Sequence, residues 1–172
     1  MNAYSNNQIA EQLLRLAARK ALKDGSSQGA VRLLEKTLKD HDIPLEGAKF
    51  YNGSGLARNA RLTAKQVAAV YNALYHHPKW QWEGLSSLSI YGLPGGVQPR
   101  NKEAEYLGYV RLKPGTIQGV LTLSGILFCE DEDEAYGFVL LSQKLKRAWP
   151  ARDSWEATMQ AIWEQCPTTE SN

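Results

Sequence analysis

The sequence predicts an α+β fold in which helices pack on an antiparallel sheet, and three observations carry that expectation. Apolar residues recur at helical spacing through the first half of the chain. Three β-rich segments follow one another after residue 105, and a last amphipathic stretch closes the chain. No internal repeat or Pro/Gly/Ser-rich linker interrupts this order, so residues 1–166 read as a single domain. Residues 167–172, polar beyond Pro167, read as a disordered tail.

The first helix is expected over Ser5–Lys23. Ile9, Leu13, Leu16, Ala17 and Ala21 form its apolar face, with Glu11, Arg15 and Arg19 on the other side. Asp24–Ser27 breaks it. A second helix over Ser27–Lys39 presents Ala30, Val31, Leu34 and Leu38, and ends before Ile43-Pro44. Ala48–Asn52 reads as a short strand or turn leading into the tight loop Asn52-Gly53-Ser54-Gly55. The third helix opens on Thr63-Ala64-Lys65-Gln66, where threonine and glutamine three apart can satisfy each other's orphan backbone donors. Val67, Val70 and Leu74 are its apolar face, and it stops at His76-His77-Pro78, whose histidines complement the negative end of the helix dipole.

Residues 84–104 carry glycines and prolines without periodicity and predict an irregular loop. Tyr106–Lys113, Gly119–Phe128 and Tyr136–Gln143 then predict strands. The last two are expected to form an antiparallel hairpin across the acidic run Glu130–Glu134, a solvated turn without the glycine of a calcium loop. A helix over Asp153–Gln165 turns Trp155, Met159, Ile162 and Trp163 inward.

Composition excludes several function classes. A net charge of +2, spread along the chain, leaves no basic stripe for nucleic acid. The apolar run Ile117–Cys129 is too short to span a membrane. The first residues lack the basic region and apolar core of a signal peptide, so the cytoplasm is expected if Met1 is the natural start. Two distant cysteines and three histidines lack metal-ligand spacing, so neither a metal nor another cofactor is expected. Cys129, at the end of an apolar strand, reads as a buried structural thiol; the redox compartment stays open.

Four local motifs carry chemistry. In order they are Ser5-Asn6-Asn7 opening a helix, Asn52-Gly53-Ser54-Gly55-Leu56 running on to Arg61-Leu62-Thr63, the loop Leu93-Pro94-Gly95-Gly96, and Lys113-Pro114-Gly115-Thr116 followed by Ser124-Gly125. Together, over about residues 1–145, they resemble the later part of the D-Ala-D-Ala carboxypeptidase/endopeptidase family, which includes the class C low-molecular-mass penicillin-binding proteins. The resemblance implies part of a penicillin-binding-protein/β-lactamase-like transpeptidase fold. It also implies peptidoglycan peptide hydrolysis by serine acylation, with a peptidoglycan stem peptide or a β-lactam as partner, in the periplasm or cell envelope.

The resemblance further assigns roles. Ser5 relays a proton to the leaving amine, Asn7 donates an amide hydrogen bond to the substrate backbone, and Lys113 places positive charge near the terminal carboxylate. Gly115, Thr116 and Ser54 become substrate-binding positions, and the Lys113 strand becomes the edge on which a peptide adds as a further strand.

Two departures limit this. Lys-Thr-Gly of the family appears as Lys113-Pro114-Gly115, which removes a hydroxyl and a backbone donor; Thr116, two positions on, is a weak substitute. No Ser-x-x-Lys occurs, Ser142-Gln143-Lys144-Leu145 coming nearest, so no serine is assigned as nucleophile. The expectation is a chain inactive alone, a fragment, split product or remnant, with a second chain or copy completing the fold. The alternative is a non-catalytic peptide- or partner-binding protein. Plainer readings stand beside each residue. Ser5 and Gln8 fit a capping box, Ser54 shapes a turn, and Lys113 is a solvated edge lysine that discourages aggregation.

Overall fold

The computed structural model describes residues 1–94, 97–130, 134–146 and 149–167, without the side chains of 149–151. Gly95 and Gly96, the centre of the acidic turn and all of the expected tail beyond Pro167 lie outside the described residues. The elements are α1 (Asn7–Leu22), α2 (Ser27–Asp40), α3 (Ala64–His76), α4 (Gln81–Ser86), β1 (Ser89–Ile90), β2 (Val110–Ile117), β3 (Val120–Phe128), β4 (Ala135–Gln143) and α5 (Trp149–Trp163). The strands form one antiparallel sheet in the order β1-β2-β3-β4, so the α+β expectation holds.

The chain forms two compact units. One is helical and runs over Ser5–Ala73 with Met1; the other holds the sheet and comprises Asn2–Tyr4 and the chain from Leu74 onward. The division falls inside α3, where no change in composition marks it.

In the helical unit α1 and α2 form an antiparallel-type hairpin across Lys23–Ser26. The cap of α1 is Asn6, whose side chain accepts from Ile9 N–H at 2.9 Å, and not the Ser5–Gln8 box. Ser5 itself sits at φ +51, in the left-handed region that side chains seldom adopt. Ser26 caps α2 through Gly29 N–H, and Ser26 in turn donates its own N–H to Asp24. These Ser26 bonds, with Arg32 beside it, hold the Asp24 carboxyl below the usual carboxylate range.

The capping box of α3 forms as read. Thr63 N–H donates to Gln66 Oε1 at 2.9 Å and Gln66 N–H to Thr63 Oγ1 at 3.2 Å. The expected Ala48–Asn52 strand reduces to one antiparallel bridge, Lys49 to Arg61.

The apolar face expected of α1 is reversed. Ile9, Leu13, Leu16, Ala17 and Ala21 are all exposed, while Ala18, on the opposite side, is fully buried. Periodicity states which residues need cover; it does not supply the neighbour that covers them.

The sheet unit carries the substantial core. Val110, Leu112, Leu121, Leu123, Leu127 and, from α5, Met159 are fully or almost fully buried, each worth about 1.5–3 kcal/mol of apolar transfer. Trp155 joins them, with Ile162 and Trp163 partly buried against the cluster, as α5's spacing requires. Polar contacts fasten α5 further: Tyr91 Oη donates to Glu156 Oε1 at 3.0 Å and Trp163 Nε1 to Glu105 Oε2 at 3.1 Å. Burial and Glu156 push the Tyr91 hydroxyl above its ordinary range.

Three expectations are corrected here. The stretch 84–104 is not wholly irregular, because α4 and the two-residue β1 lie in or next to it. Their shortness leaves too few residues for a periodic signal. β2 runs to Ile117, past the expected end at Lys113, because Pro114 lies where the strand's outer side is open. Finally, Cys129 is not a free thiol: it is bonded to Cys166, joining the end of β3 to the end of α5 with a Cα–Cα distance of 5.5 Å. Asn2 Nδ2 donates to Ser87 Oγ at 2.8 Å and Ser89 Oγ to Ala3 O at 3.0 Å, which stitches the first residues into this unit.

Candidate functional site

The site residues expected from the sequence divide between the units. In the helical unit, Ser5 and Asn7 flank the cap of α1 and both are exposed. Gly53-Ser54-Gly55 packs on the same helix. Gly53 N–H donates to Glu11 Oε2 at 2.8 Å, and a Cβ at Gly53 would stand 3.0 Å from Ala10 O, a tight contact that a larger residue meets only if the loop or α1 gives by a few tenths of an ångström. Gly55 N–H closes an Asx turn on Asn52 Oδ1 at 3.1 Å. Asn7 and Glu11 are one turn apart on α1, so the Ser54 loop and Asn7 share a side of the helix. Ser54 is half-buried.

In the sheet unit, Lys113, Gly115 and Thr116 all lie on β2. β1 pairs only with Arg111 and Leu112; from Lys113 to Ile117, β2 has β3 on one side and no strand on the other among the described residues. The direction of the backbone groups follows from two bonds. Phe128 N–H donates to Tyr109 O at 3.0 Å, toward β3, and Tyr91 N–H donates to Val110 O at 2.9 Å, on the outer side. Alternation then turns the groups of Lys113, Gly115 and Ile117 to β3, and those of Pro114 and Thr116 outward. Pro114 has no N–H, so Thr116 supplies the one outward backbone donor of this open stretch, beside the Pro114 and Thr116 carbonyls.

Side chains alternate too. Pro114 and Thr116 share the face of Leu121 and Leu123, toward the core, while Lys113 and Gly115 share the other face, opposite Ser124 and Thr122. Thr116's hydroxyl therefore does not join Lys113's side chain; its backbone is what the edge presents. Lys113 Nζ donates to Pro114 O at 2.6 Å, bringing the ammonium to the edge. Burial lowers the Lys113 pKa below the ordinary lysine value. Gly115 meets Thr122 closely: a Cβ there would stand 2.4 Å from Thr122 Oγ1.

A D-Ala-D-Ala carboxypeptidase 3 (S13) family model matches residues 1–162. The chain belongs to that family. Within it, the chain is 31% identical over 128 residues to carboxypeptidase DacB of Mycolicibacterium smegmatis, covering 72% of this chain and 28% of that one. It is 26% identical over 141 residues to a D-alanyl-D-alanine carboxypeptidase of an Actinomadura species, covering 79% and 26%. The chain thus spans just over a quarter of the curated relatives it matches. Penicillin binding protein 4 (dacB) of Haemophilus influenzae, solved with a β-lactam, superposes with a TM-score of 0.82 at 21% identity, over 92% of this chain and 39% of that one. A predatory endopeptidase of Bdellovibrio bacteriovorus, solved with an immunity protein, gives 0.65 at 18%, over 100% and 44%. At these identities the structures establish the fold alone: this S13 chain has part of the penicillin-binding-protein fold.

Glu11 and Thr122 were not foreseen as parts of the site. Both act through a glycine, Gly53 or Gly115, and a glycine's close neighbour has no signature in sequence order. A shallow groove of about 480 Å³ beside α5, lined by Tyr136, Ala157, Ala161 and Ile162, holds none of the site residues. Among the described residues no group of histidines, cysteines and carboxylates is arranged to hold a metal, and no helix is long and apolar enough to cross a membrane.

Proposed function

We propose that this S13 chain supplies part of a serine-acylating D-Ala-D-Ala carboxypeptidase, acting on a peptidoglycan stem peptide. The helical unit contributes Ser5 as proton relay, Asn7 as amide donor and the Ser54 loop. The sheet unit contributes Lys113 and the Gly115–Thr116 edge. The observation that carries this reading is the open half of β2. An extended peptide needs a donor and an acceptor on one residue, which Thr116 provides, and a cation for its carboxylate, which Lys113 provides beside it. The Cys129–Cys166 bond supports a working place in the oxidising cell envelope.

Acylation by a fluorescent penicillin, read by intact mass, tests the proposal. The purified chain is expected to stay unlabelled, since no Ser-x-x-Lys is present. Mixed with a polypeptide that carries the rest of the family domain, it is expected to promote a stoichiometric adduct on that polypeptide. The adduct should fall sharply with Lys113→Ala and Ser5→Ala. A mixture that forms a complex but no adduct rejects the reading.

Pro114 favours a second reading, a non-catalytic peptide- or partner-binding protein. The family's hydroxyl and one outward N–H are absent at this position, and Lys113 is bonded to the Pro114 carbonyl. Binding of a D-Ala-D-Ala peptide without turnover in the same mixture distinguishes it.

A further inference from the structure

Strand β4 ends the sheet, and among the described residues no strand pairs with its outer side. The direction of its backbone groups follows from one bond. Cys129 N–H donates to Glu134 O at 3.0 Å, across the β3–β4 ladder. Alternation then turns the groups of Tyr136, Phe138, Leu140 and Ser142 to β3, and those of Ala135, Gly137, Val139, Leu141 and Gln143 outward. Each of these outward residues keeps its N–H. Soluble proteins blunt open edges with a charge or a proline, and β2 has Pro114 in its open stretch. The nine residues of β4 carry neither.

We infer that this edge pairs with the same edge of a second copy of the chain, antiparallel about Val139. Register, shape and charge select that occupant. A two-fold axis at Val139 sets Ala135 opposite Gln143 and Gly137 opposite Leu141, the one register that engages every outward residue. A Cβ at Gly137 would meet nothing within 4 Å, so the packing of a single chain does not require a glycine that weakens the strand. In the pair it faces Leu141 of the other copy, a side chain 42% exposed in the single chain, and leaves room for it. The acidic run Glu130–Glu134 precedes β4, and Lys144, Lys146 and Arg147 follow it. Antiparallel pairing therefore sets the acidic end of each copy against the basic end of the other. Glu134 and Lys144 stand five residues to either side of Val139, and both are exposed. Lys144 sits at φ +58, so these charges flank the edge and do not prolong the ladder. β4 and β2 lie on opposite sides of β3, so the pairing leaves the Lys113–Thr116 edge open and holds whatever that edge does.

Sedimentation velocity of the purified chain over a concentration series tests the inference, together with amide hydrogen exchange resolved by residue. The expected result is a reversible dimer in which the Gly137, Val139 and Leu141 amides slow as concentration rises. The Phe138 and Leu140 amides, already bonded to β3, should change less. Val139→Pro should leave a monomer; the lost N–H faces outward, so the chain's own ladder keeps its bonds. Glu134→Lys should weaken the dimer about tenfold, because it sets like charges together at both ends. Adding Lys144→Glu to that variant should restore the dimer. Far-UV circular dichroism equal to the parent's identifies the variants that fold, and the charge pair serves if the proline variant does not. A monomer at about 1 mM, a dimer without the alternating protection, or charge variants that all associate alike overturns the inference. So does protection of these amides only when another part of a family domain is added, since the occupant is then that segment.

Discussion

Replacing Cys129 and Cys166 by serine should destabilise the sheet unit by about 4 kcal/mol. The bond closes a loop with a sequence separation of 37, and the chain-entropy relation for a loop of that length gives about 4 kcal/mol at room temperature. Cys129 is 3% exposed, so a serine hydroxyl there adds desolvation in the same direction. All five tryptophans, Trp80, Trp82, Trp149, Trp155 and Trp163, belong to the sheet unit, so tryptophan fluorescence reports its unfolding without interference from the helical unit. With a urea slope of about 1–2 kcal/mol/M for a unit of this size, the midpoint should fall by roughly 2–4 M. Reduced parent should behave like the double serine variant. A midpoint within about 0.5 M of the oxidised parent would refute the reasoning, because it would mean that α5 is held equally well by its Trp155 and Met159 packing alone.

Two further outcomes are expected. Gly125→Ala should cost about 1–3 kcal/mol or more by the same assay, since its Cβ would stand 2.1 Å from the Arg111 carbonyl and neither strand can move without disturbing the register. Lys113 should contribute stability that rises with pH through the window between its lowered pKa and the ordinary lysine value of 10.5, read as the difference between parent and Lys113→Met because the raised Tyr91 acts in the opposite direction near pH 10. At Lys113 the unfolded chain binds more protons than the folded one, so each step in pH favours the folded state. Lys113→Met should make the change of urea midpoint with pH less positive across that window, and a slope equal to the parent's would show that Lys113 contributes nothing to it.

The layers and their order were legible because long periodic segments carry their own evidence. The Thr63–Gln66 box was readable because both of its bonds are local. What sequence patterning could not convey is partnership. The apolar stripe of α1 was visible, but the structure leaves it exposed and buries Ala18 on the opposite side. Two cysteines 37 residues apart carry no sign of meeting until β3 and α5 are laid side by side. The two-residue β1 is made by its pairing with Arg111 and Leu112, not by its own propensity. At the site, the residue types and their order were legible. The outward direction of Thr116 N–H was not, because it depends on which pairs of β2 and β3 are hydrogen-bonded.

The way the chain enters the molecule has a consequence for the thinly cored helical unit. Asn2 and Ala3 are bonded to Ser87 and Ser89, and at the other end α3 continues unbroken from Ala73 into Leu74. Residues 5–73 are thus an insertion clamped at both ends into the sheet unit. When such an insertion melts, its ends stay tethered, and the coil it becomes is denied the freedom of a dangling chain. For a loop of this length that restriction is on the order of 3–4 kcal/mol. Tethering thereby supplies to the folded helices a margin that their own packing lacks. Severing the chain between Ala3 and α1, or within α3, should release the helices while the sheet persists.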